Sequence, residues 1–318
     1  MIASVSLQPT LSHSHPWTQK ICVVTQKIAA IAKAFFSTLG QLLVFPLRYF
    51  GAKDWSLVGT LLPIDARAWF EKEKMLTKEE AKKLLVYPAA CAGAHNQSQQ
   101  WVEPFGYKDV PTFTHLSKSP LGISVFQKEN EVIIAFSSIK TAGISALKEP
   151  LMQAVLANCL GIIPKLYVDA CEETKKILES RQIKGKKVTL TGHCSGGSMA
   201  SYVGLKLSVP TVTVNSFPLG AGLQWDLGRE KLQNAHRFVH HVFAEKEWTN
   251  GTPILNLLNR IFSFVSLRLP GNFGKKSLVV SAYKDSANRH IYILGSFMHH
   301  IGFSARTYPW KLPKEVVQ

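Results

Sequence analysis

Gly192-His193-Cys194-Ser195-Gly196 is the stretch of this chain whose residue types and spacing could do chemistry. In a turn of the form G-x-Nu-x-G, a nucleophile sits where a strand bends sharply into a helix. The positions two before and two after it must be small, because backbone crowds there. Cys194 occupies the nucleophile position with glycine at both offsets. A frame centred on Ser195 would need a small residue at His193, and it fails. Such a turn aims the thiol at a helix N-terminus, whose partial positive charge favours thiolate, and offers the Ser195 backbone N–H to an oxyanion. The chemistry is attack on an acyl carbonyl through a thioester intermediate. The plainer alternative is a buried cysteine at a strand–helix junction.

The flanking sequence supplies the elements that position this turn. The β-branched run "KKVTLTG" leads into Cys194, "GSMASYVGLKL" continues as a helix, and "TVTVNSF" reads as a second strand. Strand, helix and strand in that order imply a parallel sheet with crossover helices, an α/β fold. Upstream, "GISVFQKENEVIIAFSS" (122–138) has the pattern of a β-hairpin turning at Lys128 to Glu131. A helix is expected to open at Thr77, with Glu79 and Glu80 in its first turn, and to run through "KEEAKKLLVYPAACAGAHNQS". A long helical segment is expected over 150–182. There is no internal repeat.

"VTLTGHCSGGSMASYVGLKL" resembles the "V-T-G-H-S-L-G-G-A-L-A" elbow of the class 3 lipases, with a cysteine in place of the nucleophilic serine. The likeness spans roughly residues 80 to 300. The 122–138 hairpin is similar to the one leading into that family's "A-F-R-G-T" oxyanion turn, "YVDACEETKKILESRQIKGKK" to the helix before the elbow, and "VNSFPLGAG" to its "T-F-G-A-P-R-V-G" strand and loop. The resemblance implies an α/β-hydrolase fold, mostly parallel sheet with flanking helices, over 54–318.

It also implies a site. The "R-G-T" triplet is replaced by Ser137-Ser138-Ile139, so Ser138 and Ile139 join Ser195 as candidate oxyanion donors. "HRFVHHVFAEKEWTNGTP" resembles the family's acid strand with glutamate for aspartate. Counting from Arg237 favours Glu245, and counting back from Pro253 favours Glu247. "DSANRHIYILG" resembles the late "D-H-x-x-Y" loop and selects His290 as base; Asp285 is a further candidate acid. His299 and His300 fall one helix later and are expected to be packing or surface residues, as is His193. The implied function is an acyl hydrolase or acyltransferase acting on lipid esters or acyl thioesters, because an acyl-enzyme on sulfur is itself a thioester. The alternative is a catalytically inactive lipid- or protein-binding module on the same fold.

The rest of the chain bears on where this would happen. Of 318 residues, 46% are hydrophobic and 18% charged, enough for one large core. Lys and Arg number 37 against 21 Asp and Glu, an excess of 16 that favours acidic surfaces such as anionic lipid. No run of five basic residues and no zinc-finger or RNA-recognition signature is present, so nucleic acid is not an expected partner. Residues 1–53 hold five basic side chains and no acid. Within them Val24, Ile28, Ile31, Phe35, Leu39 and Leu42 share one helical face opposite Lys20, Lys27 and Lys33, which predicts an amphipathic helix lying on lipid or docked on the main domain. The leader lacks the basic n-region of a secretory signal peptide. Peripheral membrane association and export without cleavage are both compatible with it. The segment 252–276, apolar and basic with no acidic residue, lies between the candidate acid and base and reads either as an amphipathic lid like that of lipases or as a core helix followed by a basic loop. Five scattered cysteines and the His pairs at 240–241 and 299–300 have no metal-ligand spacing, so no cofactor or metal is expected.

Overall fold

A computed structural model describes residues 74–139, 150–159, 162–245, 272–283 and 293–317. The basic amphipathic leader, most of the lid-like segment, Glu247, Asp285 and His290 lie outside the described residues.

Helix α1 (Lys78–Leu84) opens where the sequence says it should. The Thr77 hydroxyl accepts the Glu80 N–H at 3.2 Å, and the Glu80 carboxylate accepts the Thr77 N–H at 2.8 Å, a reciprocal cap. The expected single helix is broken, however, and α2 (Val86–Asn96) follows as a separate element. Pro88 has no N–H to donate to the Leu84 carbonyl, so the first ladder ends there. The segment 150–182 likewise divides into α3 (Pro150–Cys159) and α4 (Lys165–Glu179), with extended Pro164 at the start of α4.

Eight strands form one sheet: β1 (Lys74–Met75), β2 (Lys108–Asp109), β3 (Ile123–Lys128), β4 (Glu131–Phe136), β5 (Lys187–His193), β6 (Thr211–Val214), β7 (Val239–Ala244) and β8 (Lys275–Val279). Their order is β1-β8-β7-β6-β5-β4-β3-β2. Every pair from β4 to β1 is parallel, and the β2–β3–β4 pairs are antiparallel. The hairpin expected at 122–138 is β3–β4, turning through Glu129 at φ +48.

Helices cover both faces, which is why the strands alternate in which core they feed. Val132, Ile134 and Phe136 of β4 pack with Tyr167 of α4 and with Met199 and Val203 of α5 (Cys194–Leu207), while Ile133 and Ala135 belong to the cluster containing Leu85, Ala89 and Phe297. The opposite layer is α1, α2 and α7 (Ile293–His300); α6 (Ala221–Gln233) joins α4 and α5. This is the α/β-hydrolase arrangement, a mostly parallel sheet sandwiched by helices.

Register does the positioning. Phe136 lies beside Gly192, His193 beside Val214, and Val214 beside Val242. The segments that leave β4, β5, β6 and β7 therefore emerge along one edge of the sheet, the carboxyl edge where open α/β sheets bind ligands.

Candidate active site

The elbow is present in backbone detail. β5 ends at His193 and α5 starts at Cys194, with Cys194 held at φ +54. A side chain in the left-handed region costs about 1–2 kcal/mol, and such strain persists only where surrounding structure enforces it. Here the enforcement is visible. A Cβ added to Gly192 would overlap the Gly196 carbonyl, and one added to Gly196 would overlap the Phe136 carbonyl. The two glycines let the end of β5, the first turn of α5 and the end of β4 pass at backbone contact.

Two loops clamp this turn. After β6, the Phe217 N–H donates to the Cys194 carbonyl at 2.9 Å. Asn215, itself at φ +43 and fully buried, accepts the Ala244 N–H on its side-chain oxygen at 2.9 Å, tying the β6 loop to the end of β7. After β4, the Ile139 N–H donates to Ser195 Oγ at 3.3 Å, and Ser195 is fully buried. Ser138 Oγ lies 3.1 Å from Nδ1 of His95.

Cys194 is half-buried and unbridged at the N-terminus of a 14-residue helix. The Ser195 N–H belongs to that helix's first turn, whose donors have no partner within the helix. Cys91 is buried beside Thr191, its sulfur 3.5 Å from Oγ1, and burial pushes its thiol up to about 12. Burial also raises Cys171.

The structure brings Cys194, Ser195, Ser138 and Ile139 together. Glu245 is the first residue past β7, half-buried at the same sheet edge, its N–H donating to the Val279 carbonyl at 2.8 Å. Its rival Glu247 and the base His290 fall outside the described residues. His300 is occupied structurally: Nδ1 accepts the Val280 N–H at 3.2 Å and Nε2 donates to the Leu76 carbonyl at 2.8 Å. His299 is exposed, and His193 is a half-buried strand residue. Among the described residues no cluster of His, Cys, Asp and Glu could hold a metal ion, and no helix is long and apolar enough to cross a membrane.

Sequence reading missed His95. It sits in the last turn of α2, about a hundred residues before the elbow, and reaches the site only because α2 crosses β4 and β5. No local spacing signals that approach.

No protein-family model matches the chain, and no curated protein matches it. Among solved structures it is similar to the lipase from Rhizopus microsporus var. chinensis, with 13% identity and a TM-score of 0.36 over 60% of this chain and 74% of that one.

Proposed function

We propose that the protein is a lipase-like acyl hydrolase or acyltransferase that uses Cys194 as its nucleophile. The observation that carries the reading is the strained φ of Cys194 inside a turn whose flanking glycines have no room for a Cβ. A nucleophile held on a strained strand-to-helix turn between two crowded glycines is the arrangement that an elbow requires. In this reading His290 takes the thiol proton, oriented by Glu245 or Glu247. The sulfur adds to the acyl carbonyl, and the carbonyl electron pair moves to oxygen. Collapse expels the alcohol or thiol with the proton from the base, leaving a thioester that water or a second acceptor resolves. The preferred substrates are acyl thioesters and lipid esters, and the charge excess of the chain suits substrate presented on an anionic lipid surface.

The test compares wild type with Cys194→Ser on a short acyl thioester and the matching oxygen ester, free and in vesicles of anionic phospholipid at low and high salt. Wild type is expected to turn over the thioester, faster on vesicles at low salt, and the serine variant to lose most of that turnover while staying folded. A site shaped around sulfur holds the shorter, less nucleophilic hydroxyl poorly. Esterase activity appearing only in the serine variant would identify a decayed serine site. Vesicle binding without turnover by either protein would favour the binding-module alternative.

A further inference from the structure

The loop after β4 grips the elbow in a way that reassigns its donors. The Ile139 N–H, an oxyanion donor by resemblance, is directed at Ser195 Oγ. One residue earlier stands the Ser138 hydroxyl, its Oγ 3.1 Å from His95 Nδ1. What that hydroxyl can do depends on the ring. If Nδ1 is bare, it accepts the Ser138 O–H, and the hydroxyl has only lone pairs left to offer any other group. If Nδ1 carries hydrogen, it donates to Ser138 Oγ and the hydroxyl proton is released to point elsewhere.

We propose that His95 is a positioning residue: its Nδ1–H turns the Ser138 hydroxyl proton toward the oxyanion formed when Cys194 adds to an acyl carbonyl. The inference rests on Cys194 being the nucleophile. In the step itself the Sγ–carbon bond forms, the carbonyl π pair moves to oxygen, and that oxygen accepts hydrogen bonds from Ser138 Oγ–H and the Ser195 N–H. When the intermediate collapses, the π bond re-forms and the leaving group departs with its bonding pair. No proton is transferred at Ser138 or His95. The hole is thus completed by a side chain that a helix from the other side of the sheet orients, where the sequence lacks the "R-G-T" triplet.

The experiment separates oxyanion formation from thiol reactivity. Iodoacetamide alkylates sulfur at a saturated carbon and forms no oxyanion, whereas an activated acyl ester must pass through one. Both rates are measured at Cys194 by peptide mass spectrometry on the full chain, for wild type, Ser138→Ala, His95→Leu and His95→Asn. The acylation rate is expected to fall on the order of 100-fold in Ser138→Ala, the usual loss for one oxyanion donor. His95→Leu should show a similar loss, carried by kcat and not KM. His95→Asn should restore most of the rate, because its amide N–H can stand where Nδ1–H stood. Alkylation should be unchanged in all three. Parallel losses of alkylation and acylation would mean that the pair merely supports the turn. Unchanged acylation in Ser138→Ala with a reactive wild type would overturn this inference alone. A wild type that is alkylated at Cys194 but never acylated there would overturn the nucleophile reading, and this inference with it.

Discussion

Cys194 keeps its Cβ in a left-handed backbone that glycine would occupy without strain. Removing the sulfur and removing the Cβ should therefore have separable effects. Cys194→Gly is expected to be more stable than Cys194→Ala by about 1 kcal/mol, read from urea unfolding, although both lose the thiol. Equal stabilities would mean that the turn is not under strain. At this scale the sequence was legible where chemistry and backbone coincide: glycines two residues on either side of a cysteine have one steric meaning, and the overlap with the Gly196 and Phe136 carbonyls is that meaning realised. His95 was illegible, since nothing in "AGAHNQS" refers to Ser138, 43 residues away.

Strand β7 carries a buried titratable group that the site does not use. His241 is packed between β6 and the residues before β8, its Nε2 donating to the Phe273 carbonyl at 2.9 Å and its Nδ1 facing Thr213 Oγ1 at 2.7 Å. Burial pulls its pKa down from 6.5 to about 3, with Lys276 and His240 adding to the effect. The folded protein thus keeps the ring neutral where the unfolded chain binds a proton. Its contribution to stability is complete above pH 6.5 and is lost as the pH falls toward 3. From this one group wild type should lose about 2 kcal/mol between pH 7 and pH 5. In His241→Gln, where nothing titrates, urea unfolding at the two pH values should show that loss removed. An unchanged difference between the two pH values would place the acid sensitivity elsewhere. Elements were legible where a local rule governed them, as at the Thr77 cap and the β3–β4 alternation. They were not where a single residue interrupts a strong pattern, as Pro88 divides α1 from α2. The two-residue strands β1 and β2 are too short to show any period and exist through pairing with β8 and β3.

For the whole molecule, the parallel sheet gathers the loops after β4, β5, β6 and β7 on one edge, so the elbow, Ser138, Asn215 and Glu245 converge although they span more than a hundred residues of chain. That convergence follows from topology, which the strand–helix–strand pattern around Cys194 already implied. The central claim is that Cys194 forms an acyl-enzyme. It is tested most directly by mixing the full chain with an activated acyl thioester, quenching in acid within seconds, and locating the added mass by peptide mapping. One acyl group on the peptide containing Cys194, absent in Cys194→Ala and released on longer incubation, is the predicted result. Acyl groups spread over Cys171 and surface lysines at the same rate, or none on Cys194, would contradict it.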